Sequence, residues 1–378
     1  MSKSVLLTGG AGFIGSHVVD RLIMENKYEI TVLDILEPQV HGDKATVPAY
    51  LNPEAEFIQG SVEDYELMDD LIQNNDILIH LAAMVGVGQS MYQIKKYVRH
   101  NTYGTSVLLD ILSNKKHSVQ KVVIASSNTI YGEGKYNCVQ CGVKYPDFRE
   151  KPQLKEKDWE LKCPDCGKKM DPLPTDETTP FNSSSIYALT KQNQEQMGLM
   201  IGKTYGIDTT ILRFFLVYGP RQSLSNPYTG VCAIFSSRLL NNQAPLVFED
   251  GLQSRDFVHV NDIAQAILLS IKKKKAKHQI YNVGSGESIS IKNVAETLAE
   301  KINPKVKPIY NEQYRVGDIR HCVADISKIK NHLGYQPKVR FQDGIEDLIH
   351  WIRKKTSNNK SNSSQRAIDE LQDKGLIK

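Results

Sequence analysis

Tyr187 and Lys191 stand four residues apart in a stretch that reads as helix, so their side chains share one face. An ammonium beside a phenol favours the phenolate and draws its pKa down from about 10, which suits Tyr187 to take a proton from a hydroxyl. Ser127 follows an apolar run that reads as a strand, where it can bind the reacting oxygen or relay its proton; Ser126 is the neighbouring alternative. Ser127, Tyr187 and Lys191 are the candidate catalytic set. Removing a proton oxidises nothing unless a hydride also leaves, and the N-terminus offers a site for its acceptor. Gly9, Gly12 and Gly15 follow one strand and open a helix, a pattern that lets backbone approach a pyrophosphate at a helix N-terminus. Asp34 lies 19 residues beyond Gly15 at the end of the next strand. Its carboxylate can accept both ribose hydroxyls and would repel a 2′-phosphate, so the expected cofactor is NAD rather than NADP. Asp64, just after a third strand, is placed to meet the adenine amino group.

A second chemistry is spelled by cysteine. Cys138-x2-Cys141 and Cys163-x2-Cys166, with 21 residues between the pairs, have the spacing of a tetrahedral four-thiolate zinc site. Iron suits the same cage. Four thiolates leave no open coordination position, so the metal is expected to be structural, and glycine after each pair (Gly142, Gly167) suits a knuckle turn. Cys232 and Cys322 lack such partners and read as core or pocket thiols.

The elements that must hold these groups alternate. Short apolar strands at 5–7, 30–33, 57–60, 77–80 and 121–125 are interleaved with helices at about 15–25 and 91–114, the mark of a parallel sheet buried on both faces. From 134 to 175 the alternation stops in a polar segment that carries the four cysteines and reads as an insertion. It resumes with a helix at 185–205, a strand at 209–217, and strands at 246–249 and 278–283. The expected fold is α/β: a Rossmann-type doubly wound parallel sheet, a smaller α/β substrate lobe, and an inserted zinc-ribbon-like module. The expected boundaries are 1–217 for the nucleotide domain with 134–175 inserted, 218–253 and 286–352 for the lobe, 254–285 returning to the first domain, and 353–378 as a polar linker and tail. Within that tail, 367–371 is amphipathic.

The chain of 378 residues, 40% hydrophobic, has ample material for a large core. The net charge is +4, and residues 354–378 alone hold six basic against three acidic side chains, so the remainder is near neutral. That balance gives no reason to expect a nucleic-acid partner. No run of 18 apolar residues and no signal peptide is seen, and CxxC thiols suit a reducing compartment, so the expected location is cytoplasmic without membrane contact.

Several contiguous motifs resemble those of the extended short-chain dehydrogenases/reductases of the nucleotide-sugar epimerase/dehydratase family. They are Thr8-Gly9-Gly10-Ala11-Gly12-Phe13-Ile14-Gly15, His80-Leu81-Ala82-Ala83, Asn101-Thr102-Tyr103-Gly104-Thr105, Ser126-Ser127-Asn128-Thr129-Ile130-Tyr131-Gly132, Tyr187-Ala188-Leu189-Thr190-Lys191 and Gly317-Asp318-Ile319-Arg320-His321. The resemblance covers about residues 4–350. It implies NAD contacts from Phe13, Ile14, Leu81, Ala82 and Ala83 beside the glycines, and a steadying role for Asn101. It implies that Tyr187 and Lys191 serve both chemistry and cofactor. It also implies a nucleotide-diphosphate sugar held by Met84, Gly86, Ser127, Asn128, Leu216, Asn226 and Val231, with Arg255 and Arg320 gripping the diphosphate and Arg315 as a further candidate. A homodimer through a four-helix bundle of the 91–114 and 185–205 helices follows from the same resemblance.

The dehydratase branch carries an Asp-Glu pair where this chain has Asn128-Thr129, which argues against 4,6-dehydration. Within the family the sequence is most similar to dTDP-L-rhamnose 4-epimerases, through Asn226-Pro227-Tyr228-Thr229-Gly230-Val231 and 248–257. One departure is Leu216, where the family usually has asparagine. The expected activity is inversion at C4 of a nucleotide sugar through a transient 4-keto intermediate. The alternatives are a UDP-sugar 4-epimerase (glucose, GlcNAc or glucuronate), a decarboxylase or dehydratase of the same family, and a non-catalytic NAD-binding regulator.

Overall fold

The computed structural model describes residues 2–42, 46–223, 226, 230–356 and 363–378. Seven strands form one parallel sheet: β1 (Lys3–Thr8), β2 (Tyr28–Asp34), β3 (Glu56–Gln59), β4 (Ile77–His80), β5 (Lys121–Ser127), β6 (Asp208–Phe214) and β7 (Gln279–Val283), in the order β7-β6-β5-β4-β1-β2-β3. The order reverses at β1, which pairs β2 on one side and β4 on the other. Such a switch point opens a crevice beyond the carboxyl ends of the strands. The strands are apolar at successive positions because both faces are covered. Val5, Leu7, Val32, Ile79, Val123 and Leu212 enter one core, while Leu6, Leu33, Leu78, Val122, Ile124 and Ile211 enter the other.

The helices follow from caps and apolar stripes. Helix α1 (Phe13–Ile23) starts at Gly12 and buries Val18, Val19 and Leu22. The expected 91–114 helix is not continuous: a short turn at Ile94–Tyr97 passes into a π-helical stretch at Val98–Tyr103 before α2 (Gly104–Asn114). Helix α3 (Ile186–Tyr205) is capped by Ser185, whose hydroxyl accepts from the Ala188 amide, and ends at Gly206 in the left-handed conformation. The strand expected at 209–217 is two pieces. β6 stays in the main sheet, and Leu216–Tyr218 leaves it to pair with Phe257–His259.

That departure leads into a smaller lobe. Helices α4 (Val231–Leu240), α5 (Val260–Lys272), α6 (Ile291–Ile302) and α7 (Phe341–Thr356) follow in order. α5 packs back against α1, while α4, α6 and α7 enclose a core of Phe235, Leu239, Val247, Val294, Leu298, Ile345 and Leu348. The four-cysteine segment forms a three-stranded antiparallel sheet from Lys135–Cys138, Gly142–Lys144 and Asp171–Leu173. The tail does not simply extend. Helix α8 (Ser363–Asp373) and the residues after it dock, with Leu371 and Ile377 buried against Phe248 and backbone bonds between Tyr314 and Lys378. Residues 357–362 of the expected linker lie outside the described residues. No described helix is long and apolar enough to cross a membrane.

Candidate active site

A cavity of about 500 Å³ runs along the carboxyl ends of β1, β2, β4, β5 and β6. Gly9 and Gly12 line it, and Gly9 has a φ of +74°. A Cβ on Gly9 would lie 2.7 Å from the Ala82 amide nitrogen, and one on Gly15 would lie 2.3 Å from the Gly9 carbonyl oxygen. Both positions therefore need glycine for packing, and only Gly9 and Gly12 reach the cavity wall. Asp34 sits at the end of β2 with its carboxylate accepting from the Ala11 and Leu36 amides at 3.1 and 2.9 Å. Burial raises its pKa, and His41 stands 3.9 Å away. A narrow glycine turn under a helix N-terminus, with a carboxylate one strand over, fits a dinucleotide with free ribose hydroxyls. Phe13, Ile14, Leu81, Ala82 and Ala83 complete that wall.

The chemistry end is built from β5 and α3. Ser127 ends β5, and its hydroxyl accepts from the Thr129 amide and hydroxyl at 3.3 and 3.0 Å. Tyr187 enters from the first turn of α3 and lines the cavity together with Ser127. Burial pushes its phenol up to about 12, and the nearby Ser127 hydroxyl opposes that. Lys191, one turn on, donates to the Ala125 carbonyl at 3.0 Å, and burial pushes its ammonium down to about 7. The Lys191 ammonium is held on a backbone acceptor, and the group that draws the Tyr187 phenol down is Ser127. Ser126 also lines the cavity, but its hydroxyl is buried without a hydrogen-bond partner.

Asn101 stands behind the wall rather than on it. Its carboxamide accepts from the Met84 amide at 2.7 Å and donates to the Met84 carbonyl and the Thr190 hydroxyl at 3.1 and 3.0 Å. It therefore ties a cavity-lining loop to α3, and the π-helical stretch is what aims it. His80, read as structural, is held between the Thr8 and Thr105 hydroxyls at 2.8 and 2.9 Å and is kept neutral by burial.

Met84, Gly86, Asn128, Leu216, Asn226 and Val231 all line the cavity. Pro227, Tyr228 and Thr229 lie outside the described residues. Three expected contacts are not brought to the wall. Asp64 caps the helix Tyr65–Gln73 by accepting from the Leu67 amide at 3.2 Å, and Gly60, Ser61 and Val62 stand at the cavity instead. Arg320 is fully buried among Glu160, Glu249 and Asp250 at 2.7 to 2.9 Å. Arg255 donates to the Ser254 and Arg320 carbonyls and pairs with Asp318 at 3.2 Å. Both guanidinium groups are held by protein acceptors, and neither lines the cavity. Cys232, read as a core or pocket thiol, lines the cavity, and sequence reading missed Glu37, His41, His100, Phe214, Phe215 and Gln222, which line it too. Phe214 and Phe215 were findable from the rule that ligands sit at strand carboxyl ends; the others arrive from loops without periodic signal.

The four cysteine sulfurs lie within 4.8 Å of one another, with Cys138 and Cys166 at 3.5 Å. Gly142 and Gly167 take φ of +73° and +71°, and the Gly167 amide donates back to the Cys163 carbonyl at 2.8 Å.

Residues 5–151 match the NAD dependent epimerase/dehydratase family, and residues 167–348 match the GDP-mannose 4,6 dehydratase family model. The dTDP-L-rhamnose 4-epimerase of Burkholderia thailandensis is 34% identical over 352 residues, covering 93% of this chain and 95% of that protein. The chain belongs to the NAD dependent epimerase/dehydratase family. Two solved members are similar throughout. The UDP-glucose 4-epimerase of Thermotoga maritima with UDP-glucose aligns at TM-score 0.76 and 31% identity, covering 93% of this chain and 99% of that one. The UDP-glucose 4-epimerase of Thermus thermophilus in complex with NAD aligns at TM-score 0.71 and 28% identity, with 93% and 99% coverage. As a family member the protein is an enzyme, and its glycine turn, Asp34 and the Ser127, Tyr187 and Lys191 cluster occupy one continuous cavity.

Proposed function

We propose that the protein is an NAD-dependent 4-epimerase of a nucleotide-diphosphate sugar, and that the sugar is a neutral hexose such as a dTDP-6-deoxyhexose. The observation that carries this is the meeting of Tyr187 and Ser127 at a cavity wall where Asn128 and Thr129 supply no carboxylic acid. A dehydratase needs an acid to expel the C6 hydroxyl. A uronate needs a cation for its carboxylate, and Lys191, held on the Ala125 carbonyl, is the only lysine or arginine among the described lining residues. The Burkholderia relative supports the dTDP sugar, and the Thermotoga structure supports UDP-glucose as the second reading.

In this reading Gly9, Gly12, Asp34 and Lys191 hold NAD. When bound, NAD supplies a hydride acceptor and donor for sugar C4 and a cationic ring whose field favours the Tyr187 phenolate. Tyr187 takes the O4 proton while Ser127 donates to the same oxygen. The 4-keto sugar turns about its bonds to the diphosphate against Met84, Val85, Gly86 and Val87, so that C4 offers its other face to the returning hydride while Tyr187 returns the proton to O4. Of the three candidate arginines, Arg315 is the one with no carboxylate partner among the described residues; it lies over the Phe248 ring at 4.6 Å, and we assign it to the diphosphate.

The cysteine cluster suits zinc. A tetrahedron with Zn–S of about 2.3 Å spaces its sulfurs by about 3.8 Å, close to the cluster's own scale. Thiolates of this kind favour a reducing compartment such as the cytoplasm. Exposed Val98, Tyr103, Leu189 and Met200 on neighbouring helices support the homodimer.

Proton NMR of the NAD-loaded protein with dTDP-L-rhamnose, UDP-glucose, UDP-GlcNAc and UDP-glucuronate tests the reading. Reversible change of the C4 proton coupling in a neutral sugar is expected. Release of CO2, or a 6-deoxy-4-keto product, would overturn it.

A further inference from the structure

Two segments that line the cavity, around residues 37–41 and at Ser223 and Asn226, touch one another, and a chain of side chains joins them to Tyr187. Gln39, after β2, donates to the Asn226 carboxamide at 3.0 Å and forms a reciprocal amide pair with Gln89, 3.1 Å in each direction. Ser223, beside Asn226, bonds the Val40 carbonyl at 2.8 Å. Gln89 belongs to the short turn Val87–Ser90 and is buried. Its carbonyl oxygen also accepts from the Tyr97 hydroxyl at 3.0 Å. Tyr97 is fully buried, and its ring meets the Tyr187 ring edge to face, centroids 6.4 Å apart at 83°. The next residue in the turn, Ser90, accepts from the Tyr187 amide at 3.0 Å and donates to the Val87 carbonyl at 2.7 Å.

We propose that Gln89 is a positioning residue: it links the 36–42 loop and the Ser223 and Asn226 segment, through Gln39, to Tyr97 and so to the ring of Tyr187. Gln89 is not among the described residues that line the cavity. It ties Gln39 to the Tyr97 hydroxyl and so fixes the seat of the phenol. The buried Gln89 amide holds the Tyr97 hydroxyl and Gln39 at once, so removing it breaks the link between them.

The inference rests on the epimerase reading for its kinetic arm, and a second arm needs no sugar. Gln89→Met, Tyr97→Phe, the double variant and Gln89→Glu are prepared as NAD-loaded holoenzymes. Each single variant is expected to lower kcat about tenfold, since small misplacement of a reacting group is costly, with KM within about twofold. The double variant is expected to lose no more than either single one, because one path is cut twice. Gln89→Glu, whose carboxylate still accepts from Tyr97 and Gln39, is expected to recover most of kcat. A KM rise with unchanged kcat, or losses that multiply in the double variant, would overturn the proposal. If Gln89→Met does not fold, Tyr97→Phe, which keeps the ring, carries the test alone. If the wild type turns over none of the sugars, the epimerase reading fails by itself. Amide hydrogen exchange across residues 185–190 of the holoenzyme then decides the positioning: faster exchange in Gln89→Met and Tyr97→Phe supports it, and wild-type exchange in both rejects it.

Discussion

The glycine turn after β1 and the arginine cluster behind the inserted segment both gather groups suited to phosphate, yet they are made by opposite means. The turn uses backbone. Its groups come from residues 9 to 15, with Asp34 one strand away, and glycine is needed because Cβ atoms would strike Ala82 and the Gly9 carbonyl. The cluster uses side chains from distant places: Glu133, Arg149 and Glu160 around the insertion, and Glu249, Asp250, Arg255, Asp318 and Arg320 from the lobe side. In the first the charge site faces the cavity. In the second the charges are paired with one another and none lines the cavity, and they form a joint between insertion and lobe.

The largest effect should fall at the cavity end. Tyr187→Phe removes the proton acceptor while keeping the ring, and kcat is expected to fall by about 10²–10⁴-fold, with NAD still bound. Loss of bound NAD together with activity would mean that the two halves of the cavity are not separable in this way.

Stability should respond at the other end. Arg320→Met leaves the partly exposed Glu160 and Asp250 without their guanidinium while buried Glu249 keeps Arg149, so the loss is expected below the roughly 3–5 kcal/mol that breaking a fully buried pair costs. A lowered denaturant midpoint with near-normal NAD binding is the expected result. If Arg320→Met instead folds as well as wild type and chiefly raises KM for the nucleotide sugar, the guanidinium is a ligand after all.

The same contrast explains what the sequence disclosed. The parallel sheet, the glycine turn, Asp34 and the grouping of Ser127, Tyr187 and Lys191 were legible because each depends on local spacing or on a strand end. Asp64 misled because a carboxylate after a strand caps the next helix as readily as it meets a base. The surroundings of Arg255 and Arg320 were not legible, because motif position says nothing about the Asp318 that pairs with the first or the carboxylates of Glu160, Glu249 and Asp250 that hold the second. The π-helical turn at Val98–Tyr103 was invisible, since its apolar pattern is that of the α-helix on either side.

Metal removal should sharpen the comparison with a smaller change. Trp159 of the insertion packs against Tyr314 of the lobe, and Arg149 bonds the Asp318 carbonyl at 3.0 Å, so the insertion braces the segment that carries Arg315. Stripping the metal with a chelator, or Cys163→Ser, is expected to lower Tm by several degrees and raise KM, with NAD stoichiometry unchanged. An equal loss of NAD would show that the brace reaches the glycine turn as well.

The finest test is the proton on Glu133. This carboxyl is fully buried, its Oε1 3.7 Å from the Arg149 Nε and its Oε2 accepting from the Arg320 amide at 2.7 Å. Burial pushes it up to about 7 from an ordinary 4.5, against the pull of Arg149. Between those values the folded chain keeps a proton that the unfolded chain has released. Stability therefore falls as pH rises through that window, and Glu133→Gln, which cannot ionise, should not share the fall. The difference in denaturant midpoint between wild type and Glu133→Gln, followed from pH 4.5 to 7, is the measurement. A wild type that gains on the variant as pH rises would mean that the ion pair with Arg149 outweighs burial, and the arginine cluster would then be held by its charges rather than merely tolerating them.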